Sequence, residues 1–161
     1  MKKNVLVVYY SHSGNTRKIA ELIQLKTDAT LHEIQPKDAY PTDYDAVVKQ
    51  AKKEIQAGLR PELASAIDAA GYDTVFVGSP NWWSTIAPPV ATFLAGCDLS
   101  GKTVVPFLTH GGGGAARMER DIAKLCPQAV MKPGLVVSGD GGSRAAAQVT
   151  AWLEQLGIAE K

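Results

Sequence analysis

Short apolar runs alternate with amphipathic segments along the whole chain. Most of the runs are apolar at successive positions, as in strands buried on both faces of a sheet. The segments between them carry apolar residues three and four positions apart, which is typical of helices with one face on the core. This pattern predicts strands at residues 5–10, 30–34, 74–78, 103–109 and 129–137, the last interrupted at Pro133 and Gly134. Helices are predicted to begin near residues 15, 42, 88, 115 and 143.

The repeated order of strand and helix predicts a parallel sheet with helices on both faces. We therefore expect a single α/β domain over residues 1–161, a doubly wound three-layer sandwich with five strands in the order 2-1-3-4-5. In such a sheet, ligands bind beyond the carboxyl ends of the strands, at the switch point between strands 1 and 3. The loops after strands 1, 3 and 4 should converge there. Pro106 lies inside the fourth strand and lacks an N–H, so a bulge or local break is expected at that position.

The loop after the first strand has the composition of an anion site. The N–H groups and positive dipole end of the following helix point to one spot beyond the strand. Residues 10–16 contain no lysine, and Arg17 follows on the helix side. The alternative is that Ser13 and Thr16 only cap the helix, and His12 could equally face solvent. Hydroxyl and amide donors and a flexible glycine complete a predicted phosphate cradle, supplied by Ser11, Ser13, Thr16, Asn15 and Gly14.

The other two loops suit a flat ring. Trp82 and Trp83 are adjacent after the third strand, in what is predicted to be a loop, and offer wide aromatic faces for stacking. Four glycines at 111–114 follow the fourth strand and let backbone N–H and C=O groups approach a planar ligand. Phosphate cradle, stacking surface and bare backbone together indicate flavin mononucleotide (FMN). The Gly-Asp-Gly-Gly segment at 139–142 follows the fifth strand and is interpreted as a turn away from this site.

These three segments resemble those of the flavodoxin-like FMN-binding family, over essentially the whole chain. The resemblance rests on Tyr-Ser-His-Ser-Gly-Asn-Thr at 10–16, Gly-Ser-Pro-Asn-Trp-Trp-Ser-Thr at 78–85 and Thr-His-Gly-Gly-Gly-Gly at 109–114. It implies a flavodoxin-like fold and FMN bound without a covalent link. It further implies phosphate contacts from Ser11, His12, Ser13, Gly14, Asn15 and Thr16. The ring would be surrounded by Pro80, Asn81, Trp82, Trp83, Thr109, His110, Gly111, Gly112 and Gly113.

The function expected from the resemblance is low-potential electron transfer between redox partner proteins, a reductase and an acceptor. One alternative is an FMN-dependent NAD(P)H:quinone oxidoreductase on the same fold, although the chain length favours the carrier. Another is a non-catalytic FMN-binding sensory or scaffold module. Three other activities of similar folds are disfavoured because the residues they need are absent. A tyrosine phosphatase needs a cysteine nucleophile in the first loop, a P-loop nucleotidase needs Gly-Lys-Ser/Thr, and a phosphorelay receiver needs acidic residues after strand 1.

Charge and apolar content limit the remaining partners. Seventeen basic and sixteen acidic residues give a formal charge of +1, so nothing favours nucleic acid or an anionic membrane. Flavodoxins are commonly acidic, and this chain departs from that pattern. No apolar run approaches the roughly 20 residues of a membrane helix, and Cys97 and Cys126 form no Cys-x-x-Cys pair. We expect a cytoplasmic protein without a metal site, a monomer or weak dimer.

Overall fold

A computed structural model describes residues 4–158 of the chain. The elements in chain order are β1 (Val5–Tyr9), α1 (Asn15–Thr27), β2 (Thr30–Glu33), α2 (Tyr44–Ala57), β3 (Thr74–Trp82), β4 (Thr85–Ile86), α3 (Pro88–Ala95), β5 (Thr103–His110), α4 (Met118–Leu125), β6 (Val130–Met131), β7 (Leu135–Ser138) and α5 (Ala145–Leu156). A 3-10 turn at Gly142–Arg144 precedes α5.

The central sheet confirms the predicted strand order. β2, β1, β3 and β5 lie side by side and pair in parallel. β6 and β7 both pair with β5, one after the other along its length, and together form the predicted fifth strand. One face of the sheet packs against α2, α3 and α4, through residues such as Val47, Phe93 and Ile122. The other face packs against α1 and α5, through residues such as Ile19 and Trp152.

Pro106 does not interrupt the strand that contains it. β5 keeps one register with β3 from Thr103 to Thr109, and Pro106 pairs with Val77 in that register. The break lies instead in the neighbouring strand, between Met131 and Leu135, where the register against β5 shifts by one residue. Lys132 donates its N–H to the carbonyl of Val104, so the missing N–H of Pro106 faces this same side. The expected local break therefore occurs across from the proline.

The third strand is longer than expected and folds back on itself. β3 continues through Trp82, and β4 pairs with it antiparallel, Asn81 opposite Ile86 and Trp82 opposite Thr85. The prediction that both tryptophans lie in an open loop is thus wrong for Trp82. Trp83 and Ser84 form the two-residue turn of this hairpin with φ of 56° and 70°. Positive φ at both residues matches the twist of a tight hairpin but is strained for side chains other than glycine.

Replacing Ser84 with glycine should stabilise the protein. Glycine adopts a φ of 70° without the steric cost that serine bears, and the side chain of Ser84 is exposed. Relief of the left-handed strain, about 1–2 kcal/mol, should exceed the entropy that glycine adds to the unfolded chain, about 0.5–1 kcal/mol. We therefore expect the free energy of unfolding to rise by about 0.5–1 kcal/mol, measured by urea denaturation. Ser65→Gly, at an exposed serine outside the hairpin whose φ is not positive, is the control. An unchanged or lower stability of Ser84→Gly would contradict the assignment of strain to this turn.

Two further observations concern membrane insertion and the cysteines. Between residues 4 and 158, no helix has the length and apolar content to cross a bilayer. Cys97 and Cys126 are free thiols, the second buried in the core beside α4.

Candidate functional site

The three predicted loops meet at the carboxyl edge of the sheet. Thr16, at the start of α1, and Thr109, near the end of β5, bring their buried hydroxyl oxygens within 2.8 Å of each other. Asn81 of the hairpin donates its side-chain amide to the carbonyl of Gly114 at 2.9 Å. The rings of His12 and Trp82 pack edge to face with centroids 5.9 Å apart. Each loop is therefore joined to another by a direct side-chain contact.

The loop before α1 presents a set of unused hydrogen-bond donors. Gly14 has a φ of 97° and turns the chain into the helix, which starts at Asn15. The backbone N–H groups of Ser13, Asn15 and Thr16 donate no hydrogen bond to any of the described residues. The side chains of Ser13 and Asn15 likewise have no partner within residues 4–158. Backbone and side-chain donors at a helix start are the chemistry that binds a phosphate.

Two hydroxyls of this loop are already engaged within the protein. The oxygen of Ser11 accepts the N–H of Gly14 at 3.1 Å and that of Arg17 at 3.2 Å, so it stabilises the turn into α1. The Thr16 hydroxyl is paired with Thr109. His12 Nε2 lies 3.0 Å from the carbonyl of Pro41, which ties the loop to the segment after β2. Thr16 contributes its backbone N–H to the donor set, whereas Ser13 and Asn15 contribute side chains as well.

Asn81 holds the hairpin against the glycine loop. Its amide donates to Gly114, and its carbonyl oxygen accepts the N–H of Ser84 at 2.9 Å. The N–H of Arg117 donates to the carbonyl of Ser84 at 3.0 Å, which adds a second link between the same segments. Both polar ends of Asn81 are thus used to fix the relative position of the two loops.

Trp82 packs against an aromatic cluster formed by Tyr10 and Tyr40. Trp82 makes edge contacts with Tyr10, with ring centroids 5.5 Å apart, and with Tyr40, at 5.0 Å. The Tyr40 hydroxyl donates to the buried carboxylate of Glu54, whose second oxygen accepts from Gln50. Burial and the neighbouring Glu54 raise the pKa of Tyr10 and Tyr40 well above the usual range, so both stay protonated. These contacts fix the orientation of Trp82.

Trp83 lies on the outside of the hairpin, away from that cluster. The residue is 45% exposed, and its Nε1–H donates to the carbonyl of Val48 on α2 at 3.0 Å. The Lys52 ammonium sits 5.2 Å from the ring centroid, in a cation–π contact. The two adjacent tryptophans therefore have different surroundings, and only Trp82 contacts the first loop.

The glycine loop after β5 is open to a ligand. His110 Nδ1 accepts the N–H of Gly112 at 3.0 Å, which assigns the ring proton to Nε2. Residues 111–113 are exposed, and a methyl group built on Gly111 would meet no protein atom within 4 Å. Pro80, on the adjacent strand β3, pairs with Thr109 in the β3–β5 register. Backbone groups of this loop are accessible without an obstructing side chain.

Charged residues flank the first loop in two ion pairs that the sequence did not predict. Arg17 donates to both carboxylate oxygens of Glu33, at 2.7 and 3.0 Å, and Tyr9 donates to Glu33 at 2.8 Å. Burial raises the pKa of Tyr9 to about 12, aided by Glu33. Burial also opposes ionisation of Glu33, but the bonds from Arg17 and Tyr9 outweigh it and lower the pKa of that carboxyl. Glu33 is therefore ionised and paired.

The second pair involves the Gly-Asp-Gly-Gly turn. Lys18 Nζ lies 3.4 Å from Asp140 and donates to the carbonyl of Gly142 at 3.0 Å. Gly139 donates its N–H to the carbonyl of His110 at 2.8 Å. The segment is a turn, as expected, but it borders both α1 and the end of β5 rather than lying away from the site. The signal that could have revealed this is the glycine-rich composition, which the first and third loops share.

Two cavities lie elsewhere. One of about 810 Å³ is at the opposite edge of the sheet, lined by residues such as Ala70, Cys97 and Lys102. The other, of about 260 Å³, lies among α2, α3 and α4. The first cavity is lined by no residue of the three loops, and the second meets them at Thr85 alone. Within residues 4–158, no cluster of three His, Cys, Asp or Glu side chains could hold a metal ion. The donor set and loop contacts, rather than an enclosed cavity, define the candidate site.

Known proteins similar to this chain are flavoproteins and a quinone-linked dehydrogenase. The sequence profile of the family described as flavodoxin matches residues 4–156. A Bacteroides eggerthii protein, provisionally described as a flavoprotein, is 29% identical with a TM-score of 0.85, over 97% of this chain and 99% of that one. A Lactobacillus acidophilus flavoprotein in complex with FMN is 25% identical with a TM-score of 0.73, over 93% and 98%. An NAD(P)H dehydrogenase (quinone) from Cupriavidus metallidurans is 29% identical over 147 residues, 85% of this chain and 73% of that protein.

Proposed function

This chain belongs to the flavodoxin family, and we propose that it binds FMN and acts as a low-potential electron-transfer protein. The observation that carries the proposal is the unused donor set of the first loop. Three backbone N–H groups, the Ser13 hydroxyl and the Asn15 amide surround the start of α1 without partners among residues 4–158. Their number and polarity fit a phosphate group, which accepts several hydrogen bonds at once.

We propose that the flavin ring lies between the hairpin and the glycine loop. Trp82 is favoured over Trp83 as the aromatic neighbour, because it contacts His12 and Tyr10 beside the phosphate cradle. Pro80 and Asn81 would border the ring on one side, with Thr109, His110 and residues 111–113 on the other. Asn81 would keep the gap between the two loops constant through its bonds to Gly114 and Ser84.

Replacing Gly111 with alanine tests the ring assignment. The added methyl meets no protein atom, so the folded state should tolerate it. If the ring lies against this backbone, the methyl should obstruct it, and we expect FMN and riboflavin to bind about 5- to 10-fold more weakly, about 1–1.4 kcal/mol. Calorimetric titration of the apoprotein measures both constants, with thermal unfolding as the check on folding. Unchanged affinity for both flavins would remove Gly111 from the proposed site.

FMN, when bound, supplies the one- and two-electron redox chemistry. The protein's residues bind the phosphate, orient the ring and set its surroundings. Aromatic and apolar walls disfavour added negative charge. The cradle offers dipoles and neutral donors, and the neighbouring cations Arg17 and Lys18 are paired with carboxylates. Both features favour a low potential. The exposed loop residues at the rim, Ser13 and 111–113, would leave an edge accessible to redox partner proteins.

The second candidate function is NAD(P)H:quinone oxidoreduction. It is favoured by the 29% identity to the NAD(P)H dehydrogenase (quinone) of Cupriavidus metallidurans. In that case a nicotinamide and then a quinone would approach the same open rim. The two functions differ in their electron donor, because a carrier accepts electrons from a partner protein whereas a reductase accepts hydride from the nucleotide directly.

An anaerobic titration separates these functions. The FMN-loaded protein is mixed with NADH or NADPH, and separately with a photochemical reductant, while flavin absorbance is followed. We expect slow or no bleaching by the nucleotides and full bleaching by the photochemical reductant. Rapid bleaching by NAD(P)H, followed by reoxidation with a quinone, would replace the carrier with the reductase.

A further inference from the structure

The two cations that follow the phosphate loop are both paired with carboxylates. Arg17 and Lys18 lie in the first turn of α1, directly after the donors of Ser13, Asn15 and Thr16. Arg17 binds Glu33 on one side of the helix through two hydrogen bonds. Lys18 lies against Asp140 and the carbonyl of Gly142 on the other side. The two carboxylates come from separate elements, β2 and the turn after β7, and each faces one cation.

We infer that Glu33 and Asp140 neutralise the charges of Arg17 and Lys18 by ion pairing. The first turn of α1 then carries no net positive charge that would compensate the bound phosphate dianion. This inference rests on the proposed binding of FMN and assigns two further residues that tune it. Neither carboxylate belongs to the three loops, and neither supplies a donor to the cradle. Their effect would act through the cations that they hold.

Each pair is built to hold its cation in place. The Arg17–Glu33 contact has two bonds from one guanidinium, a geometry that fixes direction as well as distance. Tyr9 and Gln35 also donate to Glu33, which keeps the carboxylate in position. Asp140 is held by the N–H of Gly142 at 2.8 Å, and the Gly142 carbonyl takes a second bond from Lys18. The four side chains thus form two ion pairs, one on each side of α1.

The expected size of the effect follows from Coulomb's law. Neutralising one carboxylate leaves one net positive charge in the first turn of the helix whose N–H groups bind the phosphate. Attraction between that charge and a dianion at roughly 10 Å, in a largely aqueous setting, corresponds to about 3- to 10-fold in affinity. Salt of about 0.5 M should remove most of this effect, because the screening length then falls below the separation.

The test compares FMN with riboflavin, which lacks the phosphate. Dissociation constants of both flavins are measured by calorimetry on the apoprotein at low salt and in about 0.5 M NaCl. The variants are Glu33→Gln, Asp140→Asn, Arg17→Gln, Lys18→Gln and the two pair deletions, R17Q/E33Q and K18Q/D140N. Glu62→Gln, which breaks the exposed Lys37–Glu62 pair, is the matched control.

The preference for FMN over riboflavin should change in opposite directions in the carboxylate variants and in the cation variants. Preference for FMN over riboflavin should rise about 3- to 10-fold in Glu33→Gln and Asp140→Asn, and fall by a similar factor in Arg17→Gln and Lys18→Gln. Both pair deletions should return close to wild type, and Glu62→Gln should not differ from it. If wild type prefers FMN but the carboxylate variants leave that preference unchanged, the neutralising role of Glu33 and Asp140 is overturned and the proposed function stands. If wild type shows no preference, the phosphate assignment itself fails, and the inference fails with it.

Discussion

Replacing both Ser13 and Asn15 with alanine should weaken FMN binding by about 10²-fold or more. Neither side chain has a hydrogen-bond partner within residues 4–158, and a hydrogen bond to a charged group contributes about 1.5–3 kcal/mol. Riboflavin should change by less than about 3-fold, because it makes no phosphate contact. The contrast between the two ligands separates a lost phosphate contact from general damage to the site.

The measurement is a calorimetric titration of each apoprotein with FMN and with riboflavin. Ser65→Ala, an exposed serine in the segment before β3, is the control and should leave both constants unchanged. Thr16→Val is a useful comparison, because its hydroxyl is paired with Thr109 in the buried interior. A parallel loss of FMN and riboflavin in the Ser13/Asn15 variant would show that these residues support the fold of the loop instead of binding phosphate.

Replacing Gly78 with alanine should cost about 3 kcal/mol of stability, at the upper end of typical overpacking. Gly78 lies in β3 between Tyr9 of β1 and Phe107 of β5. A methyl group there would come within 2.2 Å of two ring atoms of Phe107, a fully buried side chain that would have to shift within the core. The sheet layer beneath the candidate site therefore requires glycine at this position for close packing.

Thermal and urea unfolding measure this loss. For a chain of this length, 3 kcal/mol corresponds to a fall in Tm of about 6–12 °C. Gly71→Ala is the matched control, because a methyl there meets no atom within 4 Å and its φ is not in the left-handed region. Phe107→Leu in the Gly78→Ala background should restore part of the stability. Equal stability of the Gly78 and Gly71 variants would contradict the packing account.

The order of strands and helices could be predicted because its signals are local. Continuous apolar runs and three-and-four spacing depend on neighbours in sequence, and the break at Pro133 and Gly134 was visible for the same reason. The hairpin at Trp83 and Ser84 had no such signal, since its turn lacks the glycine or asparagine usual at positive φ. The sequence predicted a break at Pro106 itself, whereas the structure has the break in the neighbouring strand, between β6 and β7. A sequence shows that a proline lacks an N–H but does not show which neighbouring strand loses the hydrogen bond.

The meeting of the three loops was predictable from the sequence, but the residues that support them were not. The residues of the first and third loops stand next to one another in the sequence, so their composition alone indicated phosphate and backbone contacts. The supports come from distant segments. Tyr40 reaches Trp82 from the loop before α2, and Glu33 and Asp140 reach α1 from opposite sides. Nothing in the spacing of these residues indicates that they meet, because tertiary packing alone brings them together.

Binding of FMN through its phosphate at the start of α1 is the proposal on which the other proposals depend. Its most direct test is titration of the purified apoprotein with FMN and with riboflavin under the same conditions. We expect one FMN per chain with a dissociation constant below about 1 µM, and riboflavin binding weaker by about 10²-fold or more. Absence of FMN binding, or equal affinity for the two flavins, would contradict it.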